Sequence, residues 1–600
     1  MISYVVRVAD VRRHYFEVDC RLDDAAPIVD FTMPSWIPGS YLLREYARHV
    51  VAASAYDQND AAVVVEKINK NTWRCHGRGG ALIFRLCVFA LDESVRGAFV
   101  DSRRAYFNGP CLFVVPNGRE SESARVTIEA PTDPVCATWR VATTLPALET
   151  DERGFGIYTS QGHDELLDHP FEISNFEQIN FDVRGVPHSL VVSGRHDADL
   201  DRVATDLRQV CATQIEFFGE PAPFSRYMFL CLVVGNGYGG LEHRTCSSLI
   251  ISRSDLPVVG ELGTPKSYQK FLSLASHEYF HTWHIKRIKP AKFMPYELSR
   301  RNHTRLLWVF EGITSYYQDL FLVRSGLIDS NAYLRRLGVA LSRVFQTPGR
   351  HLQTLDESSF NAWDVLYKPE SNSPNASISY YSKGALVALA LDLKLRLLED
   401  RHLSLDFIMQ QLWRRFGSVG VGVPEDGFEA LVCEFAGEEF RAFFDATIRG
   451  LEDPALGPLF QQFGISMQMD SDVERPSADG EDESTARPRL WLGLSWREVP
   501  QGLQCTNVLN GGPAEAAGIN SGDLVLAIDR LRVSGTSIES ILERYAAGDT
   551  VPVALFRQDE LLECELTLER APATTCRLVI ADDSEPAAID RRQAWINELS

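Results

Sequence analysis

The sequence lacks the features that would place the protein in a membrane. No uninterrupted apolar run reaches the roughly 20 residues that a membrane-spanning helix needs. The first residues, Met1 to Val6, lack the charged and then apolar layout of a signal peptide. We therefore expect no membrane partner.

An excess of basic charge is also missing. The chain of 600 residues has 60 lysines and arginines against 81 aspartates and glutamates, which gives a formal net charge of −21. Proteins that bind nucleic acid or anionic lipid do so through positively charged surfaces. The composition therefore argues against both kinds of partner, and we expect no nucleic acid.

Paired cysteines are absent as well. The twelve cysteines are scattered singly from Cys20 to Cys576, and no two of them form a C-x-x-C pair. Such spacing is typical of reduced, mostly buried thiols and not of a disulfide framework. It predicts a cytoplasmic location.

The most specific feature that is present is an H-E-x-x-H motif formed by His277, Glu278 and His281. Apolar residues around it recur at spacings of three and four from Tyr268 until Pro290, which predicts an amphipathic helix. Positions i and i+4 share one helix face, so the two imidazoles can hold one metal ion while Glu278 deprotonates a water molecule. The simpler alternative is a chance motif whose histidines pack or face water.

A catalytic zinc ion normally takes three protein ligands and leaves one position for water. The metzincin class is excluded, because Arg287 stands where its third histidine would be. His284 would add a fourth imidazole and close the site, so we interpret it as a neighbouring polar or substrate-side residue. Glu297 and Glu311 compete for the third position, and Glu311 is favoured because it opens a helically patterned run.

The segment W-x-x-E-G-x-T-x-Y, from Trp308 to Tyr316, resembles the one that supplies the glutamate ligand in the gluzincin aminopeptidases. That resemblance implies a thermolysin-like fold with zinc on two histidines and Glu311. The stretch from His281 to Glu311 is longer than in the larger aminopeptidase family, and Arg300 and Arg301 occupy the place where the shorter spacing would put a ligand. The resemblance therefore narrows to the glycyl aminopeptidase family, whose members carry a C-terminal PDZ domain.

Upstream, Gly239, Gly240 and Glu242 follow a strand-like run and resemble the aminopeptidase motif on the active-site edge strand. The resemblance implies that Glu242 binds the free amino group of the substrate. A carboxylate is the charge-assisted partner that an ammonium needs, and glycines let a substrate backbone approach closely. The alternative is an ordinary turn followed by a solvated acid.

Downstream, Tyr380 and Tyr381 precede Lys383 and Gly384 at the start of a leucine-rich helical pattern. Tyr-x-Lys-Gly at this place resembles the segment that carries the catalytic tyrosine of the aminopeptidases, which assigns Tyr381. A phenol near the metal can donate a hydrogen bond to the oxyanion of the tetrahedral intermediate. Tyr380 is a rival because it is adjacent, and a tyrosine at a helix start is also explained by structure alone.

Two segments of the N-terminal region also resemble family-typical stretches, Ser35 to Tyr41 and Leu166 to Glu172. Each is also typical of a turn that packs through its aromatic residues, and we favour this second interpretation. From the second segment, Glu172 is a candidate to project into the substrate cleft.

Strand-like and helix-like patterns divide the chain into regions of a multidomain α+β protein. We predict an N-terminal all-β domain, a thermolysin-like zinc peptidase domain with a helical C-terminal part, and then a PDZ domain. The predicted bounds are 1–180 for the β domain, 181–330 for the catalytic domain, 331–470 for the mainly helical domain, 471–488 for an acidic linker, 489–571 for the PDZ domain and 572–600 for a C-terminal tail.

The PDZ prediction also starts from a resemblance. Residues 491–494, the run 512–518 and the run 521–528 resemble a bacterial-type PDZ domain. Such domains accept an extended peptide as an added edge strand and bind its terminal carboxylate with backbone amides. The loop Leu492-Gly493-Leu494 would receive a C-terminal peptide; the alternative is that the module only packs on the catalytic body.

Together these features predict a zinc aminopeptidase, a hydrolase that uses one zinc ion per chain to release an N-terminal residue from peptide substrates. The family resemblance implies a preference for a small residue such as glycine or alanine. The alternatives are a zinc endopeptidase of the same fold, in which Glu242 is incidental, and a catalytically silent PDZ scaffold. The oligomeric state and the physiological substrate are not encoded in any pattern of the sequence.

Overall fold

The computed structural model describes residues 2–398, 403–471 and 490–597. The predicted acidic linker, 471–488, lies outside the described residues except for residue 471. The chain divides into two compact units. The first consists of Met1–His303, Tyr317–Ile328 and Met409–Asp426, and the second of Thr304–Tyr316, Asp329–Ile408 and Gly427–Ser600.

The N-terminal region consists almost entirely of β-strands. In order, they are β1 (Ile2–Asp10), β2 (Tyr15–Ala25), β3 (Ile28–Thr32), β4 (Val50–Asp57), β5 (Ala62–Lys67), β6 (Thr72–His76), β7 (Gly80–Phe89), β8 (Ala98–Val100), β9 (Arg104–Phe107), β10 (Val115–Pro116), β11 (Ala124–Ile128), β12 (Arg140–Ala142), β13 (Ala147–Thr150), β14 (Gly156–Ser160) and β15 (Phe171–Ser174). Two short helices interrupt them, α1 (Gly109–Leu112) and α2 (His163–Leu167).

Two sheets of this region share one apolar core. Eleven strands follow the order β10-β3-β6-β5-β4-β7-β2-β1-β11-β14-β13, and four follow the order β12-β15-β9-β8. In β7 every second residue from Leu82 to Val88 is buried, as expected for a strand with one face on a core. Phe107 and Phe171 of the smaller sheet lie in the same core as Phe84 of β7. The predicted N-terminal β domain is confirmed.

The next region carries the H-E-x-x-H motif. Its elements are β16 (Glu177–Val183), β17 (Val186–Ser193), α3 (Leu200–Phe218), β18 (Tyr227–Val234), β19 (Tyr238–Glu242), β20 (Cys246–Ser252) and α4 (Lys266–Phe280). The five strands form one sheet in the order β16-β17-β18-β20-β19, in which β19 is an outer strand, antiparallel to β20. The residues Gly239, Gly240 and Glu242, which the sequence predicts to lie on a substrate-binding edge strand, are therefore on an edge strand of this sheet.

The helical region begins with a π-helical turn, Trp308–Gly312, followed by α5 (Ile313–Arg324). The further helices are α6 (Ser330–Phe345), α7 (Leu355–Phe360), α8 (Ser373–Ala376), α9 (Ser382–Arg396), α10 (Leu405–Leu412), α11 (Gly427–Ala436), α12 (Phe440–Phe444) and α13 (Leu456–Gln461). Two more π-helical turns are Trp413–Gly417 and Asp445–Arg449. Short 3₁₀ turns lie at Tyr46–His49, Pro134–Cys136, Arg253–Asp255, Ala291–Phe293 and Pro348–His351.

The last region contains the PDZ fold. Its elements are β21 (Ile465–Asp470), β22 (Leu490–Trp491), β23 (Leu494–Val499), β24 (Gly502–Val508), α14 (Pro513–Ala516), β25 (Leu524–Ile528), β26 (Leu531–Arg532), α15 (Ile538–Leu542), β27 (Thr550–Arg557), β28 (Glu560–Thr567), β29 (Glu569–Arg570), β30 (Thr575–Ile580) and α16 (Pro586–Ile596). The PDZ sheet follows the order β23-β24-β25-β27-β28, with β26 paired to β25.

The chain returns to the helical region after the PDZ fold. Strand β30 pairs with β21, which precedes the PDZ fold, and α16 follows. The indole N–H of Trp595 in α16 donates to the hydroxyl of Tyr316 at 2.8 Å. Residues 572–597, which belong to the predicted C-terminal tail, thus contribute a fully buried tryptophan to the helical region.

In the part of the chain that the structure describes, no helix combines the length and the apolar character needed to cross a membrane. All twelve cysteines are free thiols, and most of them are buried. This agrees with the reduced, buried cysteines predicted from their spacing. The predicted cytoplasmic location stays a prediction.

Candidate active site

The two histidines of the motif lie one turn apart at the end of α4. The backbone N–H of His281 donates to the carbonyl of His277 at 3.2 Å, which keeps the i, i+4 relationship. The opposite face of the helix is anchored by aromatic packing, with the rings of Tyr279 and Tyr227 4.6 Å apart and Phe280 stacked on Tyr317. The motif therefore projects from a helix that its neighbours hold in place.

The helix ends earlier than the apolar pattern predicts. It stops at Phe280, and Ile285 adopts a left-handed backbone with φ +86°. Trp283, which continues the apolar spacing, is still fully buried and stacks on Phe218 at 5.0 Å between ring centroids. The pattern thus identified a buried residue correctly but assigned it to a helix instead of a turn.

The Nδ1 atoms of both imidazoles are held by oxygen acceptors. Nδ1 of His281 is 2.9 Å from the carbonyl oxygen of His284, and Nδ1 of His277 is 2.8 Å from Oε1 of Gln318. A carbonyl can only accept, so the Nδ1 of His281 carries a proton and its Nε2 presents a lone pair when the ring is neutral. The two Nε2 atoms face each other at 3.0 Å. This is the arrangement of metal-ligating histidines, whose outer nitrogens are fixed by hydrogen bonds.

Glu311 completes the cluster. It lies in the π-helical turn before α5 and is buried. His277, His281 and Glu311 each offer one ligand atom, and these atoms lie within 4.8 Å of one another. Two imidazole nitrogens and a carboxylate oxygen are the donor set of a catalytic zinc site, so the residues present fit a zinc ion.

The rival for the third position lies elsewhere. Glu297 is 47% exposed and forms an ion pair with Arg300 at 2.5 Å. His284, which the sequence places next to the site, is buried, and it provides the carbonyl that holds His281. Among the described residues, neither belongs to the group that could hold a metal.

Gly240 of β19 lies directly against Glu278. A β-carbon at position 240 would come within 1.9 Å of Oε1 of Glu278, whereas one at Gly239 would meet its nearest atoms only at 4.0 Å. Successive residues of a strand point to opposite faces. Gly240 therefore faces the motif helix, and Leu241, on the other face, is buried in the N-terminal core.

Glu242, at the end of β19, is a buried carboxylate. It is only 3% exposed, and its Oε1 has no hydrogen-bond partner among the residues that the structure describes. Gly39 makes room for it, since a β-carbon there would lie 2.5 Å from Oε2. Burial, Asp164, Asp168 and Glu242 raise the pKa of the nearby Tyr296 well above its ordinary value. A buried carboxylate with one oxygen unpaired among the described residues favours a cationic ligand.

A buried ionic network fixes the chain just beyond Glu242. Asp168 accepts from Lys286 Nζ at 2.6 Å and from the backbone N–H of Arg244 at 2.8 Å. Nδ1 of His243 is 3.5 Å from the same carboxyl group. Burial would raise the pKa of Asp168, but Lys286 and His243 outweigh it and hold that pKa well below its ordinary value. The carboxylate is therefore a permanent anion that ties the end of β19 to the loop of residue 286.

The two adjacent tyrosines have different surroundings. Tyr381 is half-buried, and its hydroxyl is 3.1 Å from that of Tyr367. Tyr380 is fully buried, and burial together with Tyr367 and Glu311 raises the pKa of its phenol well above the ordinary value. The start of α9 packs on the turn that carries Glu311, because a β-carbon at Gly312 would lie 2.6 Å from Cα of Gly384. Tyr381 is thus the more accessible phenol of the pair.

Glu172 does not project into a cleft. It is buried and receives Arg104 Nη2 at 2.6 Å together with the hydroxyls of Ser174 and Ser193, each at 2.7 Å. The suggestion that it reaches substrate is wrong, because its charge is already matched inside the N-terminal region.

The PDZ fold has a small apolar pocket at its edge strand β23. Leu492, Leu494, Trp496, Ile519 and Ile538 are among its lining residues. Gly493 has φ +70°, and its carbonyl accepts from the backbone N–H of Leu509 at 2.8 Å. Leu492 and Leu494 of the predicted peptide-binding loop thus line this pocket, and the role of the loop stays a prediction.

Gln318 and Arg96 near the site were not predicted from the sequence, and Gly39 was included only as part of the segment Ser35 to Tyr41. Gln318 holds His277, Gly39 accommodates Glu242, and Arg96 donates from Nη2 to the carbonyl of Gly240 at 3.0 Å. Gln318 follows Glu311 by seven residues, a two-turn helical spacing that could have drawn attention to it. Arg96 gives no comparable signal, because it stands in a loop 144 residues before its partner.

Three regions of the chain match family models. Residues 3–175 match the Peptidase M61 N-terminal domain, residues 270–387 match M61 glycyl aminopeptidase, and residues 463–568 match a PDZ domain. Among curated proteins, no match was found.

Solved structures give a full-length relative. The chain is 37% identical to an aminopeptidase N family protein from Idiomarina loihiensis, with 100% of both chains covered and a TM-score of 0.94. An M1 zinc metallopeptidase from Deinococcus radiodurans is 14% identical over 76% of this chain and 94% of that chain, with a TM-score of 0.47.

Proposed function

Because the chain belongs to the M61 glycyl aminopeptidase family of zinc metallopeptidases, we propose that it releases one residue at a time from the free N-terminus of a peptide. The observation that carries this proposal is Glu242, a buried carboxylate at the end of the edge strand whose Oε1 has no described hydrogen-bond partner. An α-ammonium is the ligand that matches such a group in charge and in hydrogen bonding. Because Glu242 would hold the substrate amine, cleavage would be restricted to the N-terminal residue of the peptide.

His277, His281 and Glu311 would hold one zinc ion per chain, supported by the convergence of their ligand atoms within 4.8 Å. When bound, zinc supplies a Lewis acid that makes water nucleophilic near neutral pH. Gln318 and the carbonyl of His284 keep the two imidazoles in the tautomer that presents Nε2.

Glu278 is the general base in this proposal. It takes a proton from the attacking water and passes it to the amine of the leaving peptide. Gly240 leaves the space that its carboxylate occupies. The same glycine keeps the edge strand free of side chains where the substrate backbone approaches.

Tyr381 donates a hydrogen bond to the oxyanion of the tetrahedral intermediate. Its half-buried phenol and its position at the start of α9, which packs on the turn of Glu311, support this role. An oxyanion donor of this kind typically contributes about 2.7–4 kcal/mol to transition-state stabilisation.

The released residue is small, glycine or alanine, in line with the family to which the chain belongs. At the PDZ fold, a C-terminal peptide would add a strand to β23, with its last side chain at the small apolar pocket and its carboxylate at Leu492-Gly493-Leu494.

The test compares a free peptide, Gly-Ala-Ala, with the same peptide acetylated at its N-terminus. We expect the wild-type enzyme to cleave only the free peptide, because acetylation removes the charge that Glu242 binds. Cleavage of both at similar rates would instead identify an endopeptidase.

Two variants complete the test. Glu242→Gln should lower kcat/KM for the free peptide about 10- to 100-fold, since a charge-assisted hydrogen bond contributes roughly 1.5–3 kcal/mol. Glu177→Gln, at an exposed position of the same sheet, should change nothing. If the wild-type protein binds zinc but cleaves no peptide, and Glu278→Gln is indistinguishable from it, the protein is a silent scaffold.

A further inference from the structure

Arg96 stands beside the open edge of β19 on a rigid loop. Its Nη2 donates to the carbonyl of Gly240 at 3.0 Å. The loop is held by the hydroxyl of Tyr46, which donates to the Arg96 carbonyl at 2.9 Å, and by Asn108, whose Nδ2 donates to the Val95 carbonyl at 2.7 Å. The guanidinium is therefore placed by the fold and does not move with a flexible loop.

The charge of Arg96 has no counter-ion within the described residues. None of their carboxylates lies within 4.0 Å of its guanidinium, and its buried Nε has no hydrogen-bond acceptor. Other arginines of the same region are matched, such as the half-buried Arg85 with Asp19 at 2.6 Å and the buried Arg104 with Glu172 at 2.6 Å. Withdrawing a guanidinium from water without a counter-charge is unfavourable unless a ligand supplies the anion.

The position of Arg96 along β19 indicates which anionic group of a bound peptide would reach it. Glu242 lies at one end of the strand, Gly240 touches Glu278, and a β-carbon at Gly239 would be 4.0 Å from Nη1 of Arg96. A peptide whose amine is on Glu242 must extend from there toward Gly239, at about 3.3 Å per residue. One or two residues beyond the scissile bond it reaches the guanidinium.

We propose that Arg96 binds the C-terminal carboxylate of a di- or tripeptide, so that the enzyme prefers short peptides with a free acid end. The proposal rests on the proposed function, because it takes Glu242 as the site of the substrate amine. Arginine is suited to this role, because its planar guanidinium group binds a carboxylate with two parallel hydrogen bonds. Both termini of the substrate are then recognised by buried or half-buried groups of opposite charge.

The experiment measures kcat/KM for Gly-Ala and for Gly-Ala-amide, which differ only in the charge at the C-terminus. We expect kcat/KM of the wild-type enzyme to be about 10- to 100-fold higher for the free acid, which is the effect expected of one charge-assisted hydrogen bond. The preference should appear mainly in KM, because the carboxylate is bound equally in the ground state and the transition state.

Variants of Arg96 then test whether this residue causes the preference for Gly-Ala over Gly-Ala-amide. Arg96→Gln should bring the acid-to-amide ratio close to one, and Arg96→Lys should keep part of it because the positive charge remains. Arg103→Gln, at an exposed position of the same region that pairs with Asp101, should leave the ratio at the wild-type value.

The outcomes separate this inference from the proposed function. If the wild-type enzyme cleaves neither peptide, the proposed function fails. If it cleaves the acid and the amide equally well, or if Arg96→Gln keeps the wild-type ratio, the role of Arg96 is overturned while the aminopeptidase stands. Should Arg96→Gln not fold, the wild-type ratio and the ratio of Arg96→Lys decide.

Discussion

Gly240 and Glu278 are in contact across the candidate active site, so close that a β-carbon at position 240 would lie 1.9 Å from Oε1 of Glu278. The edge strand and the motif helix are thereby matched to each other. The absence of a side chain at position 240 is a condition for Glu278, the proposed general base, to occupy its position.

Gly240→Ala should therefore displace the Glu278 carboxylate and lower kcat by about 100-fold, the typical effect of misplacing a catalytic group by about 1 Å. Gly239→Ala should cost much less, because the nearest atoms to its β-carbon would be at 4.0 Å. Steady-state kinetics of both variants check this, with Tm as the control for folding. Equal losses in the two variants would contradict it.

Tyr381→Phe should lower kcat by about 100- to 1,000-fold with little change in KM, since an oxyanion donor acts in the transition state. Tyr380→Phe should have a much smaller effect on kcat, because its hydroxyl is buried away from the surface. The kinetics of the two variants with Gly-Ala-Ala provide the measurement. A larger loss for Tyr380→Phe would reverse the assignment.

Gln318→Leu should weaken zinc binding about 10- to 100-fold, because His277 loses the acceptor that fixes its Nδ1 at 2.8 Å. Gln318→Glu keeps an acceptor for Nδ1 of His277. This variant should therefore bind zinc at least as tightly as the wild type. Competition with a chelator of known affinity measures all three proteins. If Gln318→Leu retains wild-type affinity, the contact does not orient the ligand.

Two buried histidines predict a loss of stability in acid. Burial lowers the pKa of His163 and of His188 to about 4, from an ordinary value of 6.5. Between these values the unfolded chain binds protons that the folded chain does not, so the stabilisation is complete above pH 6.5 and declines as the pH falls toward 4. Each histidine accounts for on the order of 3 kcal/mol.

Denaturant unfolding at pH 7 and pH 4.5 measures this decline. His163→Gln should make the free energy of unfolding less dependent on pH, and His76→Gln, at an exposed position, should not. An unchanged pH dependence in His163→Gln would show that the decline has another source.

The sequence predicted the parts of the site that depend on local spacing. His277 and His281 are four residues apart on one helix, and the run after Glu311 has its own helical period, so both parts of the candidate ligand set could be predicted. The end of α4 was placed too late, because Trp283 continues the apolar spacing although the chain has already turned.

The contacts made over long sequence distances could not be predicted. Arg96 reaches Gly240 and Gly39 accommodates Glu242 only because two sheets, each far along the chain from the other, meet in the folded protein. Likewise, residues after the PDZ fold look like a tail in the sequence, but β30 pairs with β21 across more than a hundred residues. No periodicity encodes such pairings.

The proposed zinc site is tested most directly by anomalous X-ray scattering at the zinc edge from crystals of the purified protein. We expect one strong peak per chain, about 2.0–2.2 Å from Nε2 of His277, Nε2 of His281 and a carboxylate oxygen of Glu311. No peak at this place in zinc-loaded crystals, or a peak that Glu311 does not contact, would contradict it.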